Sequence, residues 1–126
     1  MKTLIILAMS LLMMTPKGNP QKPVASPDDF TILSDTTEGG VRTILAKPVM
    51  VCPSLIEVKV KDGVFVDVMF TGGCPGNLAA IRKIACGMKV SEFLKKLDGN
   101  QCGNRPTSCV DQLCRILKKC GYKAAQ

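Results

Sequence analysis

Histidine and tryptophan are absent from this chain of 126 residues, and aromatic side chains are scarce. Without histidine the chain cannot supply a Ser-His-Asp or Cys-His catalytic pair, or a histidine ligand for zinc or iron. Any metal chemistry must therefore use thiolates or carboxylates. Four phenylalanines and one tyrosine predict a mainly aliphatic core in one domain, the number of domains expected for this length.

Carboxylates are also few, with 10 Asp and Glu against 17 Lys and Arg. The predicted secondary structure places them in turns, near helix ends or at exposed positions. No two of them suggest a general acid and a general base. The residues considered are Glu57, Asp62, Asp67, Glu92, Asp98 and Asp111. Their placement weighs against a complete enzyme.

The resulting net charge of +7 is uneven, because almost all of it lies after residue 50. A basic half indicates a nucleic-acid partner only when the charges cluster with aromatic side chains that can stack on bases. Here the lysines fall on the predicted solvated faces of helices. They are Lys95, Lys96, Lys118, Lys119 and Lys123. We do not expect nucleic-acid binding.

The amino end carries an apolar run, Leu4–Met14, interrupted only by Ser10 and preceded by Lys2. It resembles the start of a signal peptide and is too short for an ordinary membrane span. No clear small-x-small cleavage site follows. We therefore favour an incidental or non-native leader (residues 1–14) ahead of a cytoplasmic domain. A secreted or periplasmic location stays open if the run acts as a signal.

Four prolines in residues 15–29 predict an extended linker. The predicted domain then covers residues 30–122, with a tail at 123–126. It begins with a hairpin: a strand over Phe30–Leu33, a turn over Thr36–Gly40 and a returning strand over Val41–Leu45.

A second hairpin is predicted around Asp62-Gly63, because this dipeptide supplies the positive φ angles of a tight turn. Its strands are Leu55–Val60 and Val64–Phe70. In the second strand, Val64, Val66, Val68 and Phe70 are predicted to share one face.

Three helices follow the strands. Proline is favoured at the first helical position, so Cys74-Pro75 predicts a helix with Cys74 as its N-cap, ended by Gly87. A second helix is predicted over Val90–Leu97. Ser108 caps a third, and Asp111 partly matches a capping box. The apolar stripe of the first helix is predicted to contain Leu78, Ile81, Ile84 and Ala85. The fold class is α+β: an antiparallel hairpin or small sheet followed by three helices packed on one face.

Seven cysteines are many for this length, and an odd number argues against a fully paired secreted framework. In a reducing compartment, clustered cysteines serve as metal ligands or redox thiols. No C-x-x-C motif is present, so spacing alone is weak evidence. Four cysteines fall at predicted element boundaries: Cys52, Cys74, Cys102 and Cys109.

These four boundary cysteines predict a metal site. A helix start lowers the pKa of a thiol there, at Cys74 and Cys109, and thiolate is the form that binds metal. Four thiolates at one edge of the domain match tetrahedral zinc. The other three, Cys86, Cys114 and Cys120, are expected to be core or incidental residues, although an auxiliary thiol pair among them stays open.

Two segments suggest an anion site instead. Gly72-Gly73 before a helix suggests backbone N–H groups aimed at an anion, but the phosphate-loop match is poor, since no G-K-[ST] is present. Asn104-Arg105 could contact an anion. A surface charge or a loop clamp is the more ordinary interpretation of Arg105.

Three motifs in order resemble the TSCPD domain: Gly72–Leu78, Cys102–Arg105 and Thr107–Leu113. That domain occurs as small stand-alone proteins and at the carboxyl end of cobalamin-dependent ribonucleotide reductases. The similarity covers residues 51–117 and includes the Asp62-Gly63 turn. Val110 stands where the family motif has proline, which removes no ligand.

The resemblance implies metal binding through the shared cysteines, which correspond to Cys52, Cys74, Cys102 and Cys109. It also implies a tie to deoxyribonucleotide synthesis through a ribonucleotide reductase or another protein as partner. We expect no reductase activity from this chain alone, because so small a domain cannot house the radical barrel and the nucleotide sites.

Three hypotheses therefore stand. The first is an accessory module that holds Zn²⁺ through four thiolates, with a structural or docking role. The second is a thiol redox module that serves a reductase through Cys102 or Cys109 and a neighbour. The third is an iron–sulfur carrier, which rests on a fold-level analogy with cluster scaffold proteins.

Overall fold

A four-stranded antiparallel sheet followed by three helices forms the structure, a computed structural model that describes residues 25–126. The predicted leader and most of the predicted linker lie outside the described residues. The elements are β1 Thr31–Glu38, β2 Val41–Lys47, β3 Leu55–Lys61, β4 Val64–Thr71, α1 Pro75–Ala85, α2 Val90–Leu97 and α3 Cys109–Lys119. The predicted α+β class is confirmed.

The first hairpin is longer than predicted. Strand β1 continues to Glu38, and only Gly39 and Gly40 form the turn, with φ angles of 57° and 78°. Two consecutive residues at positive φ suit a two-residue hairpin turn. Thr36 and Thr37 are therefore free to pair with β2, and the prediction that they belong to the turn was wrong.

The second hairpin has the predicted turn, with φ angles of 51° at Asp62 and 74° at Gly63. Val68 is buried and Phe70 packs against the core, as predicted.

The assignment of Val66 to that face was wrong, because a β-bulge leaves Val66 without a partner on β3. The bulge reverses the inward and outward alternation. Phe65 is consequently buried and packs edge-on against Phe93, with ring centroids 4.9 Å apart, while Val66 is 47% exposed.

Helix α3 is the most deeply packed helix. All five residues from Val110 to Cys114 are buried. Helix α2 packs beside it. Buried residues of these two helices form one hydrophobic core with buried residues of β2, β3 and β4. In the described part of the chain, no helix has both the length and the apolarity needed to cross a membrane.

Helix α1 packs against the edge strand β4 and buries only Leu78 and Ala85. Ile84 is 62% exposed, so its predicted place on the buried stripe was wrong. A helix resting on one edge strand needs only a narrow apolar contact. Arg82 supplements this contact through two hydrogen bonds to the Asp67 carboxylate, at 2.7 and 2.9 Å.

Gly72 and Gly73 make the turn from β4 into α1, with φ angles of 78° and 84°. A Cβ added at Gly73 would lie 2.7 Å from Leu78 Cδ1 and 3.2 Å from the Pro53 backbone nitrogen. Gly73 therefore serves both the turn and a close approach to the loop before β3. Gly87 after α1 has a similar φ of 85° but nothing within 4 Å of such a Cβ.

Gly73→Ala should destabilise the protein more than Gly87→Ala, and the pair separates backbone strain from crowding. Each substitution forces alanine to positive φ, at a cost of about 1–2 kcal/mol. At Gly73 the clash should add roughly 1–3 kcal/mol. Urea unfolding of the two variants and the parent measures both costs: the Gly87→Ala loss gives the backbone strain, and the additional loss in Gly73→Ala gives the clash. Equal losses in the two variants would contradict the close packing described at Gly73.

Candidate functional site

Four cysteines from four separate segments line one cavity of about 270 Å³. Cys52 lies in the loop between β2 and β3, and Cys74 at the start of α1. Cys102 lies in the loop between α2 and α3, and Cys109 is the first residue of α3. The remaining lining residues are Val51, Asn77, Leu78, Ile81, Asn100, Gln101, Arg105, Ser108 and Val110.

A backbone hydrogen bond joins the segments that carry Cys52 and Cys74. The Ser54 N–H donates to the Thr71 carbonyl at 2.8 Å, which continues the β3–β4 pairing beyond the strand ends. Cys74 is the N-cap of α1, as predicted, with Pro75 as the first helical residue. Both cysteines thus lie at the same end of the second hairpin, and both are exposed.

The loop that carries Cys102 is closed on itself. The Cys102 N–H donates to the Thr107 carbonyl at 3.2 Å, and the Arg105 N–H donates to the Cys102 carbonyl at 3.0 Å. Ser108 then caps α3, as predicted, and its hydroxyl accepts from the Asp111 N–H at 3.1 Å. Cys109 follows directly on the rigid first turn of the helix.

Burial raises the pKa of the Cys109 thiol above its ordinary value. The backbone amides of Cys52 and of Cys109 itself lower this pKa only in part, and negative charge on Cys52 or Cys102 would raise it further. The prediction that the helix start depresses the Cys109 pKa was therefore wrong, because desolvation disfavours the charged form more than the helix start favours it.

The chemical type of the potential ligands in the cavity suits a soft metal. Among residues 25–126 the cavity lining contains four thiols and no carboxylate, and thiolates select zinc, copper(I) or iron–sulfur clusters. Sulfurs around one zinc at ~2.3 Å stand roughly 3.8 Å apart. Within residues 25–126, however, no three Cys, Asp or Glu side chains are placed to hold one ion. The thiols share a cavity, and a single ion requires them to move inward.

A buried carboxylate, Asp111, fastens the Cys102 loop to α3. It accepts hydrogen bonds from the Gly99 N–H at 2.8 Å, the Thr107 hydroxyl at 2.6 Å and Arg115 Nε at 2.7 Å. Burial raises its pKa, but these hydrogen bonds outweigh burial and hold the pKa below the usual range. Asp111 thus binds Gly99 and Thr107 instead of completing the predicted capping box.

The neighbouring Gln112 side chain, also fully buried, connects three segments. Its Oε1 accepts from the Val49 N–H at 3.0 Å, and its Nε2 donates to the Pro27 carbonyl at 2.8 Å and to Thr107 Oγ1 at 3.0 Å. Val49 begins the loop that leads to Cys52. Gln112 therefore holds that loop and the Cys102 loop against the same helix turn.

The burial of Asp111 and Gln112 was not predicted from the sequence. Both lie off the apolar stripe of α3 and would ordinarily face solvent. They are buried where the Cys102 loop and the segments that contain Val49 and Pro27 contact this helix. The residues next to them along the chain do not indicate these contacts.

The remaining cysteines do not line the cavity. Cys86 is exposed, and its sulfur lies 3.8 Å from Asp67 Oδ1. Cys114 is buried in the core, where desolvation raises its pKa to about 12. Cys120 ends α3 and packs partly buried against the core.

The model of the TSCPD domain family matches residues 27–120. The match covers most of the chain and includes both hairpins, the three helices and all seven cysteines. No curated protein and no solved structure gives a match.

Asp111→Asn should cost about 2 kcal/mol or more of unfolding free energy, because it removes the charge of a fully buried carboxylate and weakens its three hydrogen bonds. Urea unfolding measures the loss. Asp98→Asn is the matched control, since Asp98 pairs with Lys118 at the surface and such a pair contributes about 0–1 kcal/mol. Similar losses in the two variants would argue against the role of Asp111 as an anchor.

Proposed function

We propose that this chain, which belongs to the TSCPD-domain family, is an accessory module that binds a metal ion through four cysteine thiolates. The supporting observation is that one cavity is lined by four cysteines from distant parts of the sequence, Cys52, Cys74, Cys102 and Cys109, and by no carboxylate of the described residues. When bound, the metal would cross-link the loops and add stability to the fold.

Zinc is the metal we propose. It takes four thiolates in closed tetrahedral sites, which leave no position for a substrate. A closed site of this kind supports a structural or partner-docking role and not catalysis. This agrees with the absence of histidine from the chain.

Closure of the site around zinc is compatible with how the loops are held. Cys52, Cys74 and Cys102 are exposed, so their side chains and loop tips can approach without displacing core residues. Cys109 is fixed on α3, and the hydrogen bonds of Asp111 and Gln112 keep the loop bases in place. The movement we propose is thus local to the tips.

The biological setting we propose is ribonucleotide reduction, with a reductase or another protein as the partner. Its support is the family resemblance, since the TSCPD domain also occurs at the carboxyl end of cobalamin-dependent ribonucleotide reductases. The chain would act as an accessory to deoxyribonucleotide synthesis and not as the reductase itself.

An iron–sulfur cluster is the second candidate, and the separation of the thiols favours it. Three thiols do not converge on a single ion in residues 25–126, and a multi-iron cluster is larger than one zinc ion. Such a cluster would need less closure of the cavity. A thiol redox role for Cys102 or Cys109 with a neighbouring thiol is the other candidate, supported by the four cysteines that line the same cavity.

Metal analysis of the full chain, purified without oxygen, tests the proposal. We expect about one zinc per chain, the stoichiometry of a single tetrahedral site. A brown protein containing iron and sulfide would favour the cluster instead. Absence of any metal, together with a disulfide that forms and reduces reversibly, would favour the redox module.

Serine substitutions then identify the ligands. Cys52→Ser, Cys74→Ser, Cys102→Ser and Cys109→Ser should each lower metal content and thermal stability, because each removes one thiolate from a four-ligand site. Cys86→Ser is the matched control, an exposed cysteine outside the cavity. Full metal content and stability in all four ligand variants would disprove the site.

A further inference from the structure

Among residues 25–126, Arg105 is the only charged residue that lines the thiol cavity. It also lines an adjoining cavity of about 410 Å³ together with Met50, Val51 and Cys52. Arg105 and Cys52 therefore line both cavities, which adjoin at the Cys52 and Cys102 loops.

Arg105 has no carboxylate partner. Each of the other three arginines forms an ion pair, whereas Arg105 forms none within residues 25–126. Residues 1–24 contain no Asp or Glu, so their side chains cannot supply the missing anion. The paired arginines are Arg42, Arg82 and Arg115.

Metal binding would create the anion that Arg105 lacks. Four thiolates around one divalent ion carry a net charge of −2, and in the described part of the chain no other cationic residue lines the cavity. A guanidinium offers several N–H donors in a planar fork and keeps its positive charge at all physiological pH values. It is thus suited to stabilise thiolate sulfurs from outside the coordination shell.

The loop geometry couples Arg105 to one of the proposed ligands. Its backbone N–H donates to the Cys102 carbonyl, and the Cys102 N–H donates to the Thr107 carbonyl. Arg105 and Cys102 therefore belong to one closed turn, and a movement of Cys102 toward the metal carries the Arg105 backbone with it.

We propose that Arg105 is a positioning residue that supplies the counter-charge of the thiolate–metal centre and so sets its metal affinity. This inference rests on the proposed function. It goes beyond the ligand set, because it assigns part of the binding free energy to a residue that does not touch the metal.

Zinc titration of the full-length chain against a competing chelator tests the inference. Arg105→Gln, which removes the charge, should weaken zinc binding about 10–100-fold, the range for a lost second-shell partner. Arg105→Lys keeps the charge and should restore much of the affinity. The difference between Arg105→Gln and the parent should shrink as salt is raised, because ions screen an exposed charge.

Lys61→Gln is the matched control, since it makes the same change in net charge. Lys61 is exposed at the turn end of the β3–β4 hairpin, opposite the end that carries Cys52 and Cys74. The zinc affinity of the Lys61→Gln variant should equal that of the parent. Thermal melts of the metal-free variants should also match the parent, because the Arg105 side chain is exposed.

The outcomes distinguish the two proposals. If the parent binds zinc and Arg105→Gln binds it equally well, the role of Arg105 is overturned and the metal site stands. If Arg105→Gln and Lys61→Gln weaken binding equally, a general charge effect replaces the specific one and the inference fails. If the parent binds no metal, the proposed function fails and the inference fails with it.

Discussion

The buried hydrogen bonds of Asp111 and Gln112 are the constraint on which the thiol cavity depends. Their side chains bond to backbone groups of Gly99 and Val49 and to the hydroxyl of Thr107, which belong to the loops on either side of the cavity. A buried polar group left without a partner costs about 1–3 kcal/mol. The loop bases therefore stay against the first turn of α3, and Cys109 on that turn has a defined place relative to the other thiols.

The hydrogen bonds of Asp111 and Gln112 hold the bases of the loops and not their tips. Cys52 and Cys102 are exposed at positions that no side-chain hydrogen bond fixes within the described residues. Four converging thiolates repel one another unless a cation balances their charge. On our proposal a metal ion supplies that cation, and the charge of Arg105 assists it. The fold then supplies the approximate geometry and the metal supplies the final closure.

Local chemistry explains which parts of the fold could be predicted. The Asp62-Gly63 turn and the Cys74 and Ser108 N-caps depend on residues within a few positions of each other, and all three are present. The assignment of Val66 to the buried face failed because a bulge depends on the partner strand. The assignment of Ile84 failed because the width of the buried stripe on α1 depends on what that helix rests upon.

The sequence by itself determined the order of strands and helices, the turns and the placement of four cysteines at element boundaries, since these follow from backbone preferences of neighbouring residues. Only the tertiary structure decided that the four boundaries meet at one cavity, that Asp111 and Gln112 are buried, and that Arg105 lacks a carboxylate partner. These features depend on contacts between segments up to 85 residues apart, as in the Gln112–Pro27 hydrogen bond. Packing and the satisfaction of buried polar groups select such contacts, and no local pattern encodes them.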